Sequence, residues 1–218
     1  GSEMCIRDSN WGAASNRTSW SRMAAGPEAA AKIAEIMGVA AGDVEKKVAF
    51  VPCSGTEGHA SKRFNYSGPQ NCQAAMLFGG KSNMDCRFAC IGLGDCARVC
   101  AFGAISMENG IAKIDENKCV ACGNCVDKCP RNVIRITPAD TKVIVLCRNS
   151  DSGRVARAAC MKACIACQRC VKTCKYGAIT VENGFARIDP EKCTRCGECA
   201  KVCPCGCIVD YSVVTPDE

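Results

Sequence analysis

Residues 193–204 read CTRCGECAKVCP, and residues 119–130 read CVACGNCVDKCP. In both stretches three cysteines stand three positions apart, and a fourth follows after three intervening residues, immediately before a proline. Such a run places three thiols on one tight loop and directs the fourth elsewhere. Because cysteine thiolates are metal ligands, the pattern predicts two metal-binding loops, and these loops decide the fold.

The spacing favours a 4Fe-4S cubane over other metal sites. Three thiolates of one loop wrap one cubane, and the cysteine before the proline ligates a second cubane where two clusters are paired. Zinc takes four ligands per ion and would use two Cys-x2-Cys pairs, which leaves no role for a third cysteine at the same spacing. Disulfides are disfavoured because no signal peptide opens the sequence, and we expect a soluble, non-exported chain with reduced thiols.

The cysteine loops belong to an internal repeat. From Cys86 onward the chain repeats itself with an offset of 74 residues and no gap, and GAI at residues 103–105 recurs at residues 177–179. Eight cysteines of the first unit align in order with eight of the second: Cys86, Cys90, Cys96, Cys100, Cys119, Cys122, Cys125 and Cys129 with Cys160, Cys164, Cys170, Cys174, Cys193, Cys196, Cys199 and Cys203.

Each unit predicts a cysteine loop, a β-hairpin with an Asn-Gly turn and a second cysteine loop. In the first unit the strands are residues 104–107 and 111–114. An isolated hairpin of this length is marginal in water, so we expect bound metal to supply much of the stability. The predicted fold class is α+β, with two tandem bacterial ferredoxin-like modules of 2×(4Fe-4S) and a small N-terminal α/β segment.

Three clusters have complete ligand sets in the motifs. In the second unit Lys175 stands where a proline usually follows the fourth cysteine, but the four cysteines of that loop are present. The three predicted sets are Cys100, Cys119, Cys122 and Cys125, then Cys164, Cys167, Cys170 and Cys203, then Cys174, Cys193, Cys196 and Cys199.

One ligand is missing from the first loop of the first unit, where Leu93 occupies the position equivalent to Cys167. Cys86 is the natural substitute, which predicts a fourth cluster. Its ligands are then Cys86, Cys90, Cys96 and Cys129. The alternative is that this unit has lost the cluster and that Cys86 is a small buried apolar residue.

Seven of the 23 cysteines remain outside these sets. Four of them, enough for a fifth cluster if the fold gathers them, are Cys53, Cys72, Cys147 and Cys160. Their spacing does not indicate that it does, and ordinary buried thiols are the alternative. Cys205 and Cys207 follow the last ligand. Alternative ligation and exposed, oxidisable thiols compete there, and we expect no metal role for either.

Composition and charge support small metal-stabilised modules. The chain has 218 residues with only 6 Phe, 3 Tyr and 2 Trp, which excludes a large aromatic core. Its formal charge of +6 invites a nucleic-acid partner, but the count treats every cysteine as neutral. Four oxidised clusters at about −2 each would bring the total to about −2, so we expect no nucleic-acid partner.

Outside the repeat the sequence is less informative. Residues 1–22 are polar and aperiodic, and we interpret them as a non-native or disordered tail that includes Cys5. Residues 23–85 predict a segment with a helix at 27–38 and a strand at 48–51. The predicted modules are residues 86–137 and 160–218, joined by a linker at 138–159 with a strand at 142–146.

No catalytic residue is predicted. Dinucleotide, phosphate-loop and nucleophile-elbow motifs are absent, and the single histidine, His59, lies in a glycine-flanked loop. Paired cubanes exchange single electrons, so two tandem units indicate a wire of four clusters.

Residues 28–218 resemble the B subunit of the Rnf ion-translocating ferredoxin:NAD oxidoreductase, in its long form with two ferredoxin modules. The resemblance is carried by AAKIAEIMGVAAGDVEKKVAFVPCSG, YSGPQNCQAAMLFGG, CRFACIGLGDCARVCAFGAI and ACMKACIACQRCVKTCKYGAI together with the two motifs above. Stretches outside the motifs make it specific, because cluster motifs alone fit any polyferredoxin. The family's N-terminal membrane helix and following four-cysteine domain are not in this sequence, which therefore looks truncated.

The resemblance implies an electron-transfer subunit of a translocase-class complex, without a substrate-transforming site of its own. Reduced ferredoxin would be the donor, and membrane subunits of the complex the acceptors. The location would be the cytoplasmic face of the cell membrane. Competing hypotheses are an iron-sulfur subunit of another oxidoreductase or a free polyferredoxin, and a zinc-based nucleic-acid-binding module.

Overall fold

The computed structural model describes residues 46–77 and 82–211. The predicted tail at residues 1–22 and the predicted helix at 27–38 lie outside this part of the chain. Each half of the described chain is built from two cysteine loops, a hairpin and a pair of strands that closes the module. The elements are, in chain order, β1 (Lys47–Phe50), α1 (Cys72–Leu77), α2 (Asp95–Arg98), β2 (Ile105–Glu108), β3 (Ile111–Ile114), α3 (Asn124–Lys128), β4 (Arg135–Pro138), β5 (Val143–Val145), α4 (Gly153–Ala159), α5 (Arg169–Thr173), β6 (Ile179–Glu182), β7 (Phe185–Ile188), α6 (Glu198–Lys201) and β8 (Ile208–Asp210).

The two predicted hairpins are confirmed, each shifted by one residue on its first strand. β2 pairs with β3 from Ile105 opposite Ile114 to Glu108 opposite Ile111, and β6 pairs with β7 in the same way. Asn109 and Gly110 both have positive φ, +47° and +80°, as a two-residue type I′ turn requires. The Asn-Gly pair therefore sets the register of the hairpin.

The closing strands come from parts of the chain that are distant in sequence. β1 pairs antiparallel with β4, and β5 pairs antiparallel with β8. Module 1 is thus closed by a strand from the segment that the sequence assigned to a separate N-terminal unit. The predicted boundary at residue 86 divides one folded module, which runs from β1 to β4, and module 2 runs from β5 to β8.

The cores are made of thiols and small aliphatic side chains. In module 1 the buried cluster includes three cysteines with Ala49, Ala112, Val133 and Ile134. In module 2 it includes five cysteines with Val143, Val145, Ile179, Ala186 and Ile208. The cores therefore contain few large side chains, and the mixture of short helices and strands around the cysteine loops confirms the predicted α+β fold class.

Residues 59–61 join module 1 to module 2 by running beside residues 159–161. Met161 N–H donates to His59 C=O at 2.8 Å, and Ser61 N–H donates to Ala159 C=O at 3.0 Å. Ala60 and Cys160 form the bridge pair between these bonds. On the other side of the junction, Ser54 N–H donates to Leu146 C=O at 3.1 Å.

Candidate metal centres

The second cysteine loop of module 1 curls tightly because two of its residues have a left-handed backbone. Ala121 has φ +54° and Gly123 has φ +85°, and α3 begins directly after them. This curl brings the three thiols of the loop together, and the first cysteine loop of the module contributes a fourth thiol. The thiols that the structure gathers here are Cys100, Cys119, Cys122 and Cys125.

Backbone N–H groups donate to two of these sulfurs. Ala49 N–H lies 3.3 Å from Cys119 Sγ, and Ala104 N–H lies 3.4 Å from Cys100 Sγ. Donors of this kind stabilise negative charge on a metal-bound thiolate. Since Ala49 belongs to β1, the pairing of β1 with β4 also positions a donor for this centre.

Module 2 repeats the arrangement with a complete set of motif cysteines. Around buried Cys199 the structure places Cys193 and Cys196, and Cys174 packs against the same core. A second group surrounds buried Cys170 and consists of Cys164, Cys167 and Cys203. This second group lines a recess whose volume, with the open solvent at its mouth included, is ≈ 340 Å³.

Burial disfavours thiolates at these positions unless a metal is bound. It raises the pKa of Cys125 and of Cys199 to about 11 each, and the pKa of Cys96 to about 12. At neutral pH such thiols keep their protons, so a metal must displace the proton to bind.

Cys207 lies between two predicted ligands. It is 2 % exposed, and its Sγ is 3.5 Å from Cys203 Sγ. Hydrogen bonds from Cys207 lower the pKa of Cys203 to about 5 and that of Cys164 to about 6. Cys205 is also buried, so neither thiol of this pair is the exposed, oxidisable group considered above.

The structure changes the group around the incomplete loop of module 1. The thiols that it gathers there are Cys72, Cys90, Cys96 and Cys129. The backbone N–H of Leu93 donates to the Cys72 thiol, and the two side chains belong to the same apolar cluster. Cys72 therefore lies beside Leu93, which stands in place of the motif cysteine. The sequence predicts Cys86 as the ligand at this place.

A buried carboxylate attaches Cys72 to this loop. Asp95, 4 % exposed, accepts hydrogen bonds at Oδ2 from the backbone N–H groups of Cys72 at 3.0 Å and Gln73 at 3.3 Å. Its Oδ1 pairs with the Arg98 guanidinium. Sequence reasoning missed this link because no motif fixes the distance between α1 and the cysteine loop.

Cys86 faces a different recess, at the junction of the modules. The cysteines that line it are Cys53, Cys86, Cys147 and Cys160. The fifth group that the sequence allows contains Cys72 in place of Cys86, so Cys72 and Cys86 exchange places in the structure. The reason is geometric: the start of α1 lies against the cysteine loop and places Cys72 beside Leu93.

The donor sets fit 4Fe-4S clusters. Each set brings four thiols close together, and every cysteine in the described ranges is free of disulfide bonds. Within those ranges no three His, Cys, Asp or Glu side chains lie close enough together to bind one metal ion directly. A cubane takes its thiolates at four separate irons and so needs them farther apart than the roughly 2.3 Å Zn–S bonds of one zinc ion would allow.

The single histidine and the lengths of the helices bear on two other possible sites. His59 Nδ1 is 2.6 Å from Thr56 Oγ1, which places the histidine in a short turn rather than among the thiols. Across residues 46–77 and 82–211, none of the helices has the length and apolarity that a membrane span requires.

Two family profiles match the cysteine-rich parts of the chain. One, described as a 4Fe-4S binding domain, matches residues 112–135, and the other, described as a 4Fe-4S dicluster domain, matches residues 163–207. Neither covers Cys53, Cys72 or Cys86. The chain thus carries 4Fe-4S domains in both modules.

Three curated relatives match most of the chain. It is 48% identical over 194 residues to the B subunit of the Na⁺-translocating ferredoxin:NAD⁺ oxidoreductase complex of Acetobacterium woodii, covering 87% of this chain and 58% of the relative. It is 40% identical to the B subunit of the ion-translocating oxidoreductase complex of Methanosarcina acetivorans, covering 78% and 64%. It is 39% identical to the B subunit of the proton-translocating ferredoxin:NAD⁺ oxidoreductase complex of Clostridium ljungdahlii, covering 75% and 58%. The chain spans about three fifths of the length of these relatives.

Proposed function

The chain is a homologue of the B subunit of Rnf-type ion-translocating oxidoreductase complexes, and from this premise we propose that it conducts single electrons through its 4Fe-4S clusters within such a complex. The observation that carries the proposal is the gathering of motif thiols into separate groups of four in each module. Bound clusters supply the electron-accepting chemistry. The chain supplies thiol ligands, N–H donors to sulfur and burial.

Four ligand sets are proposed for the two modules. In module 1 they are Cys72, Cys90, Cys96 and Cys129, and Cys100, Cys119, Cys122 and Cys125. In module 2 they are Cys164, Cys167, Cys170 and Cys203, and Cys174, Cys193, Cys196 and Cys199. Only Cys72 differs from the sets that the sequence predicts, where Cys86 takes its place.

Electrons would enter or leave where a ligand is accessible. Cys167 and Cys196 are exposed, whereas the module 1 ligands are buried or half-buried. Exposed Arg169 stands two residues after Cys167, whereas Arg195, next to Cys196, pairs with Asp140. An exposed cation close to an accessible ligand suits an acidic carrier, so we propose reduced ferredoxin as the donor to module 2.

The acceptors in this proposal are the membrane subunits of the complex, and the location is the cytoplasmic face of the membrane. The names of the relatives support a complex of several subunits. They differ in the transported ion, Na⁺ in one and protons in another, so ion choice is left out of the proposal.

The test is to purify the chain without oxygen and to mix it with chemically reduced ferredoxin. The proposal expects brown protein that bleaches in the visible as ferredoxin reoxidises, with reduced-cluster EPR signals. Colourless protein containing zinc would overturn it in favour of a zinc-built module. Iron-loaded protein that ferredoxin does not reduce, while dithionite does, would leave an iron-sulfur subunit with a different donor.

A further inference from the structure

The junction recess is built symmetrically from the two modules. Each module contributes one cysteine shortly after its first strand, Cys53 after β1 and Cys147 after β5. Each also contributes the cysteine that stands four residues before its first motif ligand, Cys86 and Cys160, and these two are equivalent in the 74-residue repeat. Each module thus contributes two cysteines from corresponding places in its fold, as expected of a site shared by the two halves of a repeat.

The recess is connected to one predicted cluster of each module. The backbone N–H of Cys90 donates to the Cys53 thiol, and the backbone N–H of Cys164 donates to Cys147 Sγ at 3.3 Å. Cys90 and Cys164 are themselves equivalent positions and predicted ligands. The recess therefore lies directly between a module 1 centre and a module 2 centre.

The sulfurs of the recess have the same kind of donors as the motif ligands. Gly55 N–H lies 3.4 Å from Cys53 Sγ, and Asn149 Nδ2 lies 3.5 Å from Cys86 Sγ. Asn149 is 1 % exposed, and its Oδ1 accepts the Asp151 N–H at 2.8 Å, which fixes the direction of the amide. A fully buried amide directed at a sulfur fits a site that carries negative charge.

The size of the recess matches a motif site in the same molecule. With the open solvent at its mouth included, its volume is ≈ 350 Å³, against ≈ 340 Å³ on the same measure for the recess lined by the four motif cysteines around Cys170. The rest of its lining includes Ala60, Ala89 and Ala163, whose side chains take little space, and the cations Arg148 and Lys162. The two cations would offset part of the charge of four thiolates.

We propose that Cys53, Cys86, Cys147 and Cys160 hold a fifth 4Fe-4S cluster that bridges the two modules. When a preformed cluster is transferred, each protein thiol gives its proton to the terminal ligand that it displaces from one iron, and its sulfur bonds that iron in the ligand's place. A cluster there would lie on the path between the module 1 centre that contains Cys90 and the module 2 centre that contains Cys164. The proposal deepens the proposed function but depends on none of the partners named there.

The test is iron and acid-labile sulfide per chain in the whole protein, purified without oxygen. The proposal expects about twenty of each in the unaltered chain and about sixteen in the double variant Cys53→Ala, Cys147→Ala. Cys205→Ala, which removes a buried thiol outside the recess, is the matched control and should keep about twenty. The spin count of the reduced protein should fall by about one cluster in the double variant only.

About sixteen irons in both the unaltered chain and the double variant would overturn the fifth cluster and leave the proposed function intact. One zinc per chain that disappears in the double variant would likewise overturn it. Failure of the proposed function has another signature, since iron-loaded protein would then not bleach when mixed with reduced ferredoxin, whatever its iron content. Asn149→Ala keeps all four thiols and serves if the double variant does not fold. It should retain about twenty irons while one cluster signal shifts, and an unchanged spectrum with about sixteen irons would count against the site.

Discussion

The carboxylate of Asp95 accepts a 3.0 Å hydrogen bond from the backbone N–H of Cys72 and so joins α1 to the cysteine loop of module 1. Because Leu93 lies between Cys90 and Asp95 in that loop, the link brings the Cys72 thiol to the one position where the loop lacks a ligand. We therefore expect a thiol from α1, in a different part of the chain, to complete the ligand set of this loop.

Substituting Cys72 should remove one module 1 cluster. We expect Cys72→Ala to lower the iron content by about four per chain, since one thiolate of the cubane is lost. The double variant Cys72→Ala, Leu93→Cys should regain that iron, because the new thiol lies beside the old one and restores the standard spacing. Iron analysis with visible absorbance measures both effects.

The matched control for this rescue is Cys86→Ala with Leu93→Cys. If Cys86 lines the junction recess, a thiol at residue 93 cannot replace it, and the iron lost with Cys86 should stay lost. Rescue of Cys86→Ala together with an unaffected Cys72→Ala would restore the ligand set that the sequence predicted.

Asp95→Asn should loosen the attachment of α1. The amide can accept only with its single oxygen and loses the charge that pairs with Arg98, so we expect a cost of about 1–3 kcal/mol. The temperature at which the visible absorbance bleaches should fall by several degrees, roughly 4–8 °C for each kcal/mol in a module of this size. Asp85→Asn breaks an exposed ion pair with Arg63 and should change that temperature little, because such pairs contribute about 0–1 kcal/mol. Equal shifts in both variants would refute a special role for Asp95.

Reversing charge at the exposed end of module 2 should slow electron uptake. We expect Arg169→Glu to reduce the rate of reduction by ferredoxin at low ionic strength roughly tenfold, with the difference shrinking as salt is added. Lys113→Glu makes the same charge change on β3 of module 1, where no predicted ligand is fully exposed, and should leave the rate within about twofold. Stopped-flow absorbance reports both rates. A larger effect at Lys113 would move the entry point to module 1.

Cluster uptake by the metal-free chain should speed up with rising pH. Burial raises the pKa of Cys125 and Cys199 to about 11, so below that pH the thiol form dominates and protons compete with iron. Each unit of pH up to 9 multiplies the thiolate fraction of such a group about tenfold. Anaerobic reconstitution followed by visible absorbance between pH 7 and 9 measures the trend, and a rate that falls over this range would contradict it.

Much of the fold could be predicted because the repeat and the Asn-Gly turns are local signals. The hairpins and the strand at 143–145 depend on residues that are close in sequence, and three of the proposed ligand groups follow from the spacing within the cluster motifs. Cys72 and Cys86 could not be placed, since no motif fixes where residues between β1 and Cys90 contact the cysteine loops. The pairing of β1 with β4 was missed for the same reason, because nothing in a four-residue strand states its partner.

The long-range pairing of β1 with β4 gives the two modules a time order during protein synthesis. β1 leaves the ribosome before its partner β4, so module 1 cannot close until β4 has emerged. Cys160 of the junction emerges later still. Module 2 closes last, when β8 reaches β5. The cysteines of the nascent chain are therefore without their complete ligand groups for most of translation. Iron has to be delivered as the chain elongates or after its synthesis ends.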